Sequence, residues 1–336
     1  MLSTETKDPM TIDELKKLSP VKATSAENLL NTGTNFDQEP QTEVIDGRRY
    51  PKGMVAVGLK AGDKFALANV TETDHFYPTF SDLDYFPKPE PKKLQKPRFI
   101  GQNAALPGDI LKTIFGTDDR KVYYSTAYPW RCVGRVETAL GFGSGVMIGP
   151  RHLLTCSHII DWQANNQTGW LKFTPMYYNG SAPYGVANGI RTYYMFKVSG
   201  PTIDGTEAKF DYTVVVLDKP LGNSTGWMGS KSYTDNWDGQ QVWTHAGYPA
   251  DLTGTQRPTY QTGIALDGDS GTSDDAEYMA HKADVYPGQS GGPFWGYWAG
   301  QPYAVATQSA QNANYNTASG GSDLAGLVNK ARTEFP

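Results

Sequence analysis

The chain has 336 residues and a formal net charge of −5, with 38% hydrophobic and 12% aromatic residues. This apolar content is enough to close a core, which excludes wholesale disorder. Two cysteines, no glycine period and no sustained heptad exclude a disulfide scaffold, a collagen-like chain and a coiled coil. The acidic balance, without a dense basic tract, argues against nucleic acid as a partner.

No apolar run reaches the ~18 residues that span a bilayer, so we expect no membrane partner. The amino terminus also lacks the basic, apolar and small-residue parts of a signal peptide. Four triplets nevertheless fit the N-glycosylation pattern and hint at an exported glycoprotein, although such triplets also arise by chance; they begin at Asn69, Asn166, Asn179 and Asn223.

The first part of the chain, to about residue 112, differs in texture from the rest. Thr11 and Glu14 form a capping pattern that predicts a short helix. A Pro- and Lys-rich stretch at residues 87–97 is typical of an extended linker or exposed arm. Strand-like apolar runs are sparse before it.

From about residue 120 the pattern changes to short apolar runs separated by Gly, Asn, Asp and Pro, which predicts an all-β sandwich or barrel. The terminal residues predict one helix, with Ser322 as its N-cap and apolar side chains at helical spacing. The predicted strands are Lys121–Tyr124, Arg131–Glu137, Gly145–Ile148, His152–Thr155, Tyr193–Val198, Thr213–Leu217, Gln241–Ala246 and Tyr303–Thr307.

A serine flanked by glycines stands out in Pro287-Gly-Gln-Ser-Gly-Gly-Pro293. The glycines permit a tight turn in which the Ser290 hydroxyl projects, while the amides of Gly288 and Ser290 converge where an oxyanion could bind. Tetrads of this kind also occur in plain turns. The motif alone therefore leaves both interpretations open.

A serine nucleophile needs a base, and the base needs a carboxylate that orients it. His158 directly follows an apolar strand, a context that the other four histidines lack. Asp211 precedes the apolar run Thr213–Leu217, where an unpaired acid would be costly to bury. The alternatives are a histidine in the core and an aspartate in a turn. The order His, Asp, Ser along the chain, however, is that of chymotrypsin.

With these residues, the chain from about residue 113 resembles the glutamyl-endopeptidase branch of the chymotrypsin-like serine proteases. The resembling segments are Thr113-Ile-Phe-Gly-Thr-Asp-Asp-Arg120, Thr126-Ala-Tyr-Pro-Trp130, Met147-Ile-Gly-Pro150, Thr155-Cys-Ser-His158, Asp211-Tyr-Thr-Val-Val215, Gly247-Tyr-Pro249 and Gly288-Gln-Ser-Gly-Gly-Pro293. The resemblance implies an all-β fold: a chymotrypsin-like double six-stranded β-barrel with a C-terminal helix, preceded by an irregular N-terminal pro-segment.

The same resemblance implies a secreted serine endopeptidase that is made as a zymogen. His158 would be the general base, Asp211 its orienting carboxylate, Ser290 the nucleophile, and the Gly288 and Ser290 amides the oxyanion hole. Cleavage between Lys112 and Thr113 would separate a pro-segment, residues 1–112, from a protease domain, residues 113–336. A permanent extra domain is the alternative interpretation of the first part.

The partners implied are a peptide or protein substrate and an activating protease, and we expect a monomer. The sequence has neither a zinc-type Cys/His spacing nor a phosphate-binding Gly-Lys loop, so no metal or organic cofactor is implied. A structural calcium ion stays open.

The candidate substrate pocket departs from the family. Glutamyl endopeptidases hold the substrate carboxylate with a histidine after the nucleophile and a hydroxyl residue before it. Here Ala306, or Gln308 if the gap is placed differently, replaces the histidine, and Val285 replaces the hydroxyl residue. With Thr307 these residues complete a pocket that predicts an uncharged apolar or aromatic residue before the scissile bond. Asp284, at the position of trypsin's acid, makes Lys/Arg preference an alternative, and Glu preference is another.

Gly143 and Ile159 stand where the family has a disulfide near the catalytic histidine. The loss of that link, about 2–4 kcal/mol, must be offset by packing or by a bridge between Cys132 and Cys156. Both cysteines could equally be buried thiols.

A non-catalytic carbohydrate-binding β-protein is the competing function. The many Trp and Tyr residues could stack on sugars, although aromatic residues at this level more often build cores.

Overall fold

A computed structural model of the chain describes residues 8–17, 42–45, 47–59, 70–78, 114–200, 202–268, 277–311 and 314–336. Lys112, Thr113, the Pro-rich stretch at 87–97 and Asn69 lie outside these ranges. No helix in the described part of the chain is long and apolar enough to cross a membrane.

The described residues before residue 114 include four short strands. These are β1 (Thr42–Ile45), β2 (Arg48–Pro51), β3 (Val55–Gly58) and β4 (Glu72–Thr73). The helix α1 (Ile12–Leu15) precedes them and has the predicted capping box, with Thr11 and Glu14 bonded reciprocally.

Six antiparallel strands close the first barrel. They are β6 (Val133–Thr138), β7 (Gly141–Met147), β8 (His152–Thr155), β9 (Leu171–Pro175), β10 (Ala187–Tyr194) and β11 (Thr213–Leu217), following β5 (Lys121–Val122), which belongs to the second sheet. The order β11-β8-β7-β6-β9-β10 returns to β11 through the β10–β11 ladder. Buried Val, Leu, Ile, Phe and Met side chains fill its interior.

The second sheet forms a half-barrel. Besides β5, its strands are β12 (Gly229–Lys231), β13 (Trp243–Gly247), β14 (Thr259–Ile264), β15 (Leu266–Asp267), β16 (Glu277–His281), β17 (Pro293–Trp298), β18 (Gln301–Gln311) and β19 (Asn316–Gly320). The main path of the sheet has the order β15-β16-β19-β18-β17-β13-β14-β5. β12 pairs in parallel with β18. Its core is rich in aromatic side chains, with Trp243, Phe294 and Trp298 among them.

Helices are few. The short ones are α2 (Gly205–Ala208), α3 (Gly222–Thr225) and α4 (Ala250–Thr253), and 3-10 turns occur at Trp130–Cys132 and Asp235–Trp237. The long helix α5 (Ser322–Glu334) closes the chain as predicted, but Gly321 occupies the N-cap position and Ser322 is the first helical residue.

The prediction of an irregular N-terminal segment is wrong for the residues that the structure describes there. β3 pairs in parallel with β10, with Val55 opposite Arg191 and Gly58 opposite Tyr194. β9 pairs with the first two residues of β10, Ala187 and Asn188, and β3 pairs with the same side of β10 farther along the strand. β4 pairs with β12, which extends the second sheet. The N-terminal region therefore contributes a strand to each of the two sheets.

Two predicted strands have exactly the observed bounds, β8 and β11. The strand predicted at Tyr193–Val198 was wrong, because β10 occupies Ala187–Tyr194. The pairing of β10 with three neighbours stabilises a run that includes Asn188, Gly189 and Arg191, residues with little intrinsic preference for strands.

Candidate active site

Two neighbouring strands bring the histidine and the aspartate together. β8 ends at Thr155, three residues before His158, and β11 begins at Thr213, two residues after Asp211. The strands are antiparallel, with Thr155 paired to Thr213. The end of one and the start of the other therefore lie at the same edge of the barrel.

His158 and Asp211 make two hydrogen bonds at that edge. The ring nitrogen Nδ1 lies 2.6 Å from Oδ2 of Asp211, and the backbone amide of His158 donates to Oδ1 at 2.8 Å. The bond to Nδ1 fixes the neutral tautomer in which Nε2 carries the lone pair that can accept a proton. Burial opposes protonation, but the charge of Asp211 raises the pKa of His158 well above its ordinary value.

The carboxylate of Asp211 has a third donor that sequence reasoning missed. The hydroxyl of Ser309 donates to Oδ2 at 2.6 Å, and the hydroxyl of Thr307 donates to the Asp211 carbonyl at 3.3 Å. Both residues lie on β18 in the second sheet. One feature of the sequence could have indicated this role: three consecutive polar residues, Thr307, Gln308 and Ser309, follow an apolar run in a buried strand.

Ser290 lies on a turn that is clamped between the two sheets. Its carbonyl accepts from the Ser144 amide at 2.8 Å, and the Ser144 hydroxyl donates to the Gly288 carbonyl at 2.8 Å. Gly291 packs against Thr155 so closely that a Cβ at this position would collide with the threonine hydroxyl. The turn therefore lies directly beside the end of β8, from which the chain continues to His158.

Glycine is required at two positions of this turn. Gly288 has φ +102° and Gly291 has φ +80°, a region that residues with a side chain rarely adopt. Among the residues that the structure describes, the amides of Gly288 and Ser290 donate to no protein acceptor. Two such amides beside a serine hydroxyl form a site that an oxyanion could occupy.

Asp284, the first of the predicted pocket residues, is engaged with the chain near residue 115. Its Oδ1 accepts from the Phe115 amide at 2.8 Å and its Oδ2 from the Asp119 amide at 2.9 Å. Burial raises the pKa of Asp284, and the two amides oppose that shift. Both carboxylate oxygens thus serve an internal anchor.

Arg120 strengthens the same anchor. Its side chain is 1% exposed, and its guanidinium forms ion pairs at 2.7 Å with Asp118 and with Asp251. It also donates at 2.9 Å to the side-chain oxygen of Gln289, the residue before Ser290. The segment 114–120 is therefore tied directly to the nucleophile turn.

The other pocket candidates lie in different surroundings. Val285 is buried at 2% exposure, and Ala306 faces the aromatic core of the second sheet, paired with Phe294. Gln308 exchanges backbone hydrogen bonds with Gly291 and Gly292, both at 2.8 Å. Of Ala306 and Gln308, it is Gln308 that adjoins the nucleophile turn.

The sequence around this site matches one known protein family. Residues 143–301 match the family described as "Trypsin-like peptidase domain". Residues 143–301 are thus similar to a trypsin-like peptidase domain.

Relatives of known sequence or structure agree. The chain is 31% identical over 185 residues to a glutamyl endopeptidase of Bacillus licheniformis, a match that covers 54% of each protein. The chain thus matches about half the length of that relative. The resemblance to the glutamyl-endopeptidase branch is confirmed.

Two solved structures share the fold. A Glu endopeptidase in complex with MPD matches with a TM-score of 0.53 and 20% identity, covering 66% of this chain and 99% of the other. The protease Anisep from Arthrobacter nicotinovorans matches with a TM-score of 0.51 and 18% identity, covering 64% and 99%. The predicted chymotrypsin-like double-barrel fold is confirmed.

Packing occupies the place where the resembling family has a disulfide. A Cβ on Gly143 would lie 2.8 Å from Cδ1 of Ile159, so these two residues are in direct contact. Ile159 is fully buried. Cys132 and Cys156 are both free and buried, which leaves packing as the compensation.

The tryptophans give little support to the carbohydrate-binding alternative, because their rings are not exposed. All eight tryptophans lie in described regions, and none is exposed. Trp237, Trp243 and Trp298 pack against one another with ring centroids 5.1–6.1 Å apart. They build core and provide no open stacking surface.

Proposed function

We propose that this chain is a secreted serine endopeptidase that cleaves peptide bonds through an acyl-enzyme. The observation that carries the proposal is the 2.6 Å contact between His158 Nδ1 and Asp211, made beside the glycine-flanked turn of Ser290. A serine nucleophile in acyl transfer requires a base whose tautomer is fixed in this way.

The chemistry proceeds in two halves. Ser290 Oγ attacks the carbonyl carbon of the substrate while His158 Nε2 accepts the hydroxyl proton, and Asp211 stabilises the imidazolium. The amides of Gly288 and Ser290 bind the oxyanion. The intermediate collapses as His158 donates its proton to the leaving amine, and water then releases the acyl group by the same steps.

A fluorophosphonate probe tests this assignment. We expect the processed protein to be labelled once, at Ser290, with loss of labelling in Ser290→Ala. Ser224→Ala is the matched control, because Ser224 is exposed and distant in the chain from the nucleophile turn. Absence of labelling in every processed form would instead favour a binding protein.

We further propose that activation occurs by cleavage between Lys112 and Thr113, which divides residues 1–112 from residues 113–336. The anchoring of Phe115 and Asp119 to Asp284, and of Arg120 to Gln289, supports this site. A terminus released at Thr113 would begin two residues from that anchor. Amino-terminal sequencing of the active form should give Thr-Ile-Phe-Gly, and any other start refutes the site.

For the residue before the scissile bond, we propose an uncharged apolar or aromatic side chain. Both oxygens of Asp284 accept from backbone amides of the segment at Phe115 and Asp119, and this anchoring disfavours a role in selecting Lys or Arg. Val285 is apolar, and Gln308 is neutral where the family's carboxylate-binding histidine is expected. The name of the Bacillus relative favours glutamate as the alternative.

Peptide-library profiling distinguishes these preferences. Apolar and aromatic residues should dominate for the processed enzyme, and the double variant Val285→Thr/Gln308→His should gain glutamate cleavage because it restores a hydroxyl and an imidazole. Dominant glutamate cleavage by the unmodified enzyme overturns the proposed preference.

Secretion, glycosylation and a monomeric state complete the proposal. Asn166 and Asn223 are exposed, as glycosylation requires, and Asn179 is partly exposed. Expression in a glycosylating host should yield a monomer in the medium that loses mass on treatment with a glycosidase. Retention in the cells argues against export.

A further inference from the structure

The thiol of Cys156 lies against the imidazole of His158. Its Sγ is 3.8 Å from Nε2, the ring nitrogen that does not contact Asp211. The sulfur, a ring nitrogen and a carboxylate oxygen of Asp211 all lie within 4.8 Å of one another. A cysteine, a histidine and an acid at this spacing form a cluster of metal-ligating atoms inside the catalytic centre.

The position of the sulfur is set by the backbone. Cys156 directly follows β8, and the Thr155 hydroxyl fixes that strand end by donating to Ser144 O at 2.7 Å. On the other side, the turn at Gly291 packs against the Cys156 amide, which would be 2.8 Å from an added Cβ. Cys156 is fully buried between them. The thiol is therefore held in place before any ligand arrives.

The histidine already has the form of a zinc ligand. A ligating imidazole usually donates its second N–H to a carboxylate, which orients the ring and raises the basicity of the ligating nitrogen. His158 donates from Nδ1 to Asp211 in this way and leaves the Nε2 lone pair available on the side of Cys156.

The spacing suits a shared ion. Zinc bonds of ~2.3 Å to sulfur and ~2.0–2.1 Å to nitrogen, at a tetrahedral angle, separate the two ligand atoms by about 3.6 Å. The observed separation is 3.8 Å. A small closing movement of the side chains is enough to bring both atoms onto one ion.

We propose that Cys156 and His158 together bind a thiophilic divalent cation such as Zn²⁺ or Cd²⁺, and that the bound ion switches the peptidase off. The ion would bond to the Cys156 thiolate and to Nε2 of His158, with water filling the remaining positions. The thiol proton passes to solvent as the S–metal bond forms, and no electron is transferred. Inhibition follows because the ion occupies the lone pair with which His158 accepts the Ser290 proton; this part rests on the proposed function.

Metal binding is tested in a protein that cannot cleave itself. In Ser290→Ala, Cd²⁺ titration should produce an ultraviolet thiolate-to-metal charge-transfer band that saturates at one ion per chain. Adding Cys156→Ala should abolish the band and weaken binding at least about 100-fold, more than the ~10–100-fold typical of losing an outer-shell partner. Cys132→Ser is the matched control, because Cys132 is an equally buried thiol in the 3-10 turn Trp130–Cys132.

If Cys156→Ala fails to fold, Cys156→Ser keeps the size of the side chain while replacing the soft sulfur by a hard oxygen, and the same weakening is expected. A band that survives in either Cys156 variant, or that disappears in Cys132→Ser, overturns the site. The absence of any band in Ser290→Ala overturns it as well.

Inhibition is measured separately on the processed enzyme. Zn²⁺ should suppress peptide hydrolysis reversibly, with recovery on addition of EDTA, and each variant is compared with its own rate without metal. Cys132→Ser should remain sensitive and Cys156→Ser should need at least about 100-fold more Zn²⁺. Cd²⁺ binding without inhibition overturns the switch, whereas Cd²⁺ binding by a protein that never hydrolyses peptides refutes only the proposed function.

Discussion

Asp211 is the residue on which the candidate active site depends most. It is fully buried, and its two carboxylate oxygens accept three hydrogen bonds, from the His158 amide, the His158 ring and the Ser309 hydroxyl. An unpaired carboxylate at this depth would be strongly destabilising. The three donors offset that cost and simultaneously orient the imidazole, so stability and catalysis use the same contacts.

Replacing Asp211 by Asn should lower kcat by about 10⁴-fold, because the NH2 group in the place of Oδ2 would donate to Nδ1 and favour the wrong tautomer. Asp218→Asn is the matched control: Asp218 directly follows the same strand and accepts from the amide and side chain of Asn188, not from His158. Steady-state kinetics on a peptide substrate provide the measurement. Similar losses in both variants would contradict the assignment.

The pH profile should reflect the raised pKa of His158. Protonated His158 cannot accept the serine proton, so kcat/KM rises with pH through this pKa. Because the pKa is raised by Asp211 above the ordinary value of 6.5, the acid limb should have its midpoint above pH 6.5. A midpoint at or below pH 6.5 would contradict this expectation.

Ser309 is a positioning residue whose removal should be moderate in effect. Hydrogen bonds to charged groups contribute about 1.5–3 kcal/mol, so Ser309→Ala should lower kcat by roughly 10- to 150-fold with little change in KM. The acid limb should move to higher pH, because Asp211 loses a donor that delocalises its charge. Ser309→Thr should restore activity. Ser319→Ala should have no comparable effect, because the buried Ser319 hydroxyl has no hydrogen-bond partner among the residues that the structure describes.

At the scale of elements, β3 and β4 form a clasp between the N-terminal region and the two sheets. Met54 precedes β3, is 1% exposed and packs on Gly189 of β10. Its carbonyl and amide both bond to Thr168. Phe76 forms an isolated antiparallel β-bridge with Trp227 and is also buried. These contacts do not depend on the peptide bond after Lys112.

We therefore expect residues 42–78 to stay bound to the protease domain after cleavage at Lys112. The amino-terminal fragment should co-elute in native size exclusion and separate only under denaturing conditions. Met54→Ala should cost about 2–5 kcal/mol of stability and promote release, whereas Val55→Ala, at a side chain that is 43% exposed, should not. Free elution of the unmodified fragment would contradict the clasp.

Some elements were predictable from local pattern and others were not. The apolar runs of β8 and β11 are fully buried strands, so composition alone identifies their ends. β7 begins at Gly141, before its predicted start, since glycine and serine enter the strand through pairing with β6. β3 escaped prediction because a parallel pairing with β10, more than 130 residues later, leaves no local signal.

At the scale of the whole molecule, buried neutral histidines should make the protein sensitive to acid. Burial lowers the pKa of His152 and His281 to about 3 and that of His245 to about 4. Below the unfolded value near 6.5 the unfolded chain binds more protons than the folded one. Stability is therefore complete above pH 6.5 and declines as pH falls, by about 1.4 kcal/mol per pH unit for each such histidine.

Urea denaturation of Ser290→Ala at pH 7, 5.5 and 4.5 tests this prediction without self-cleavage. The free energy of unfolding should fall with pH, and His281→Gln should reduce the slope by about 1.4 kcal/mol per pH unit. A stability that is flat from pH 7 to 4.5 would contradict the role of these histidines.

The sequence by itself determined the fold class and led to the proposed trio His158, Asp211 and Ser290, because short buried strands and a glycine-flanked serine are local patterns with distinct composition. Tertiary structure alone decided which groups support that trio: Ser309 on Asp211 and Arg120 beside Gln289. These contacts join residues brought together by sheet register and by turns between the sheets. Register across distant strands depends on long-range pairing, so no local pattern specifies it.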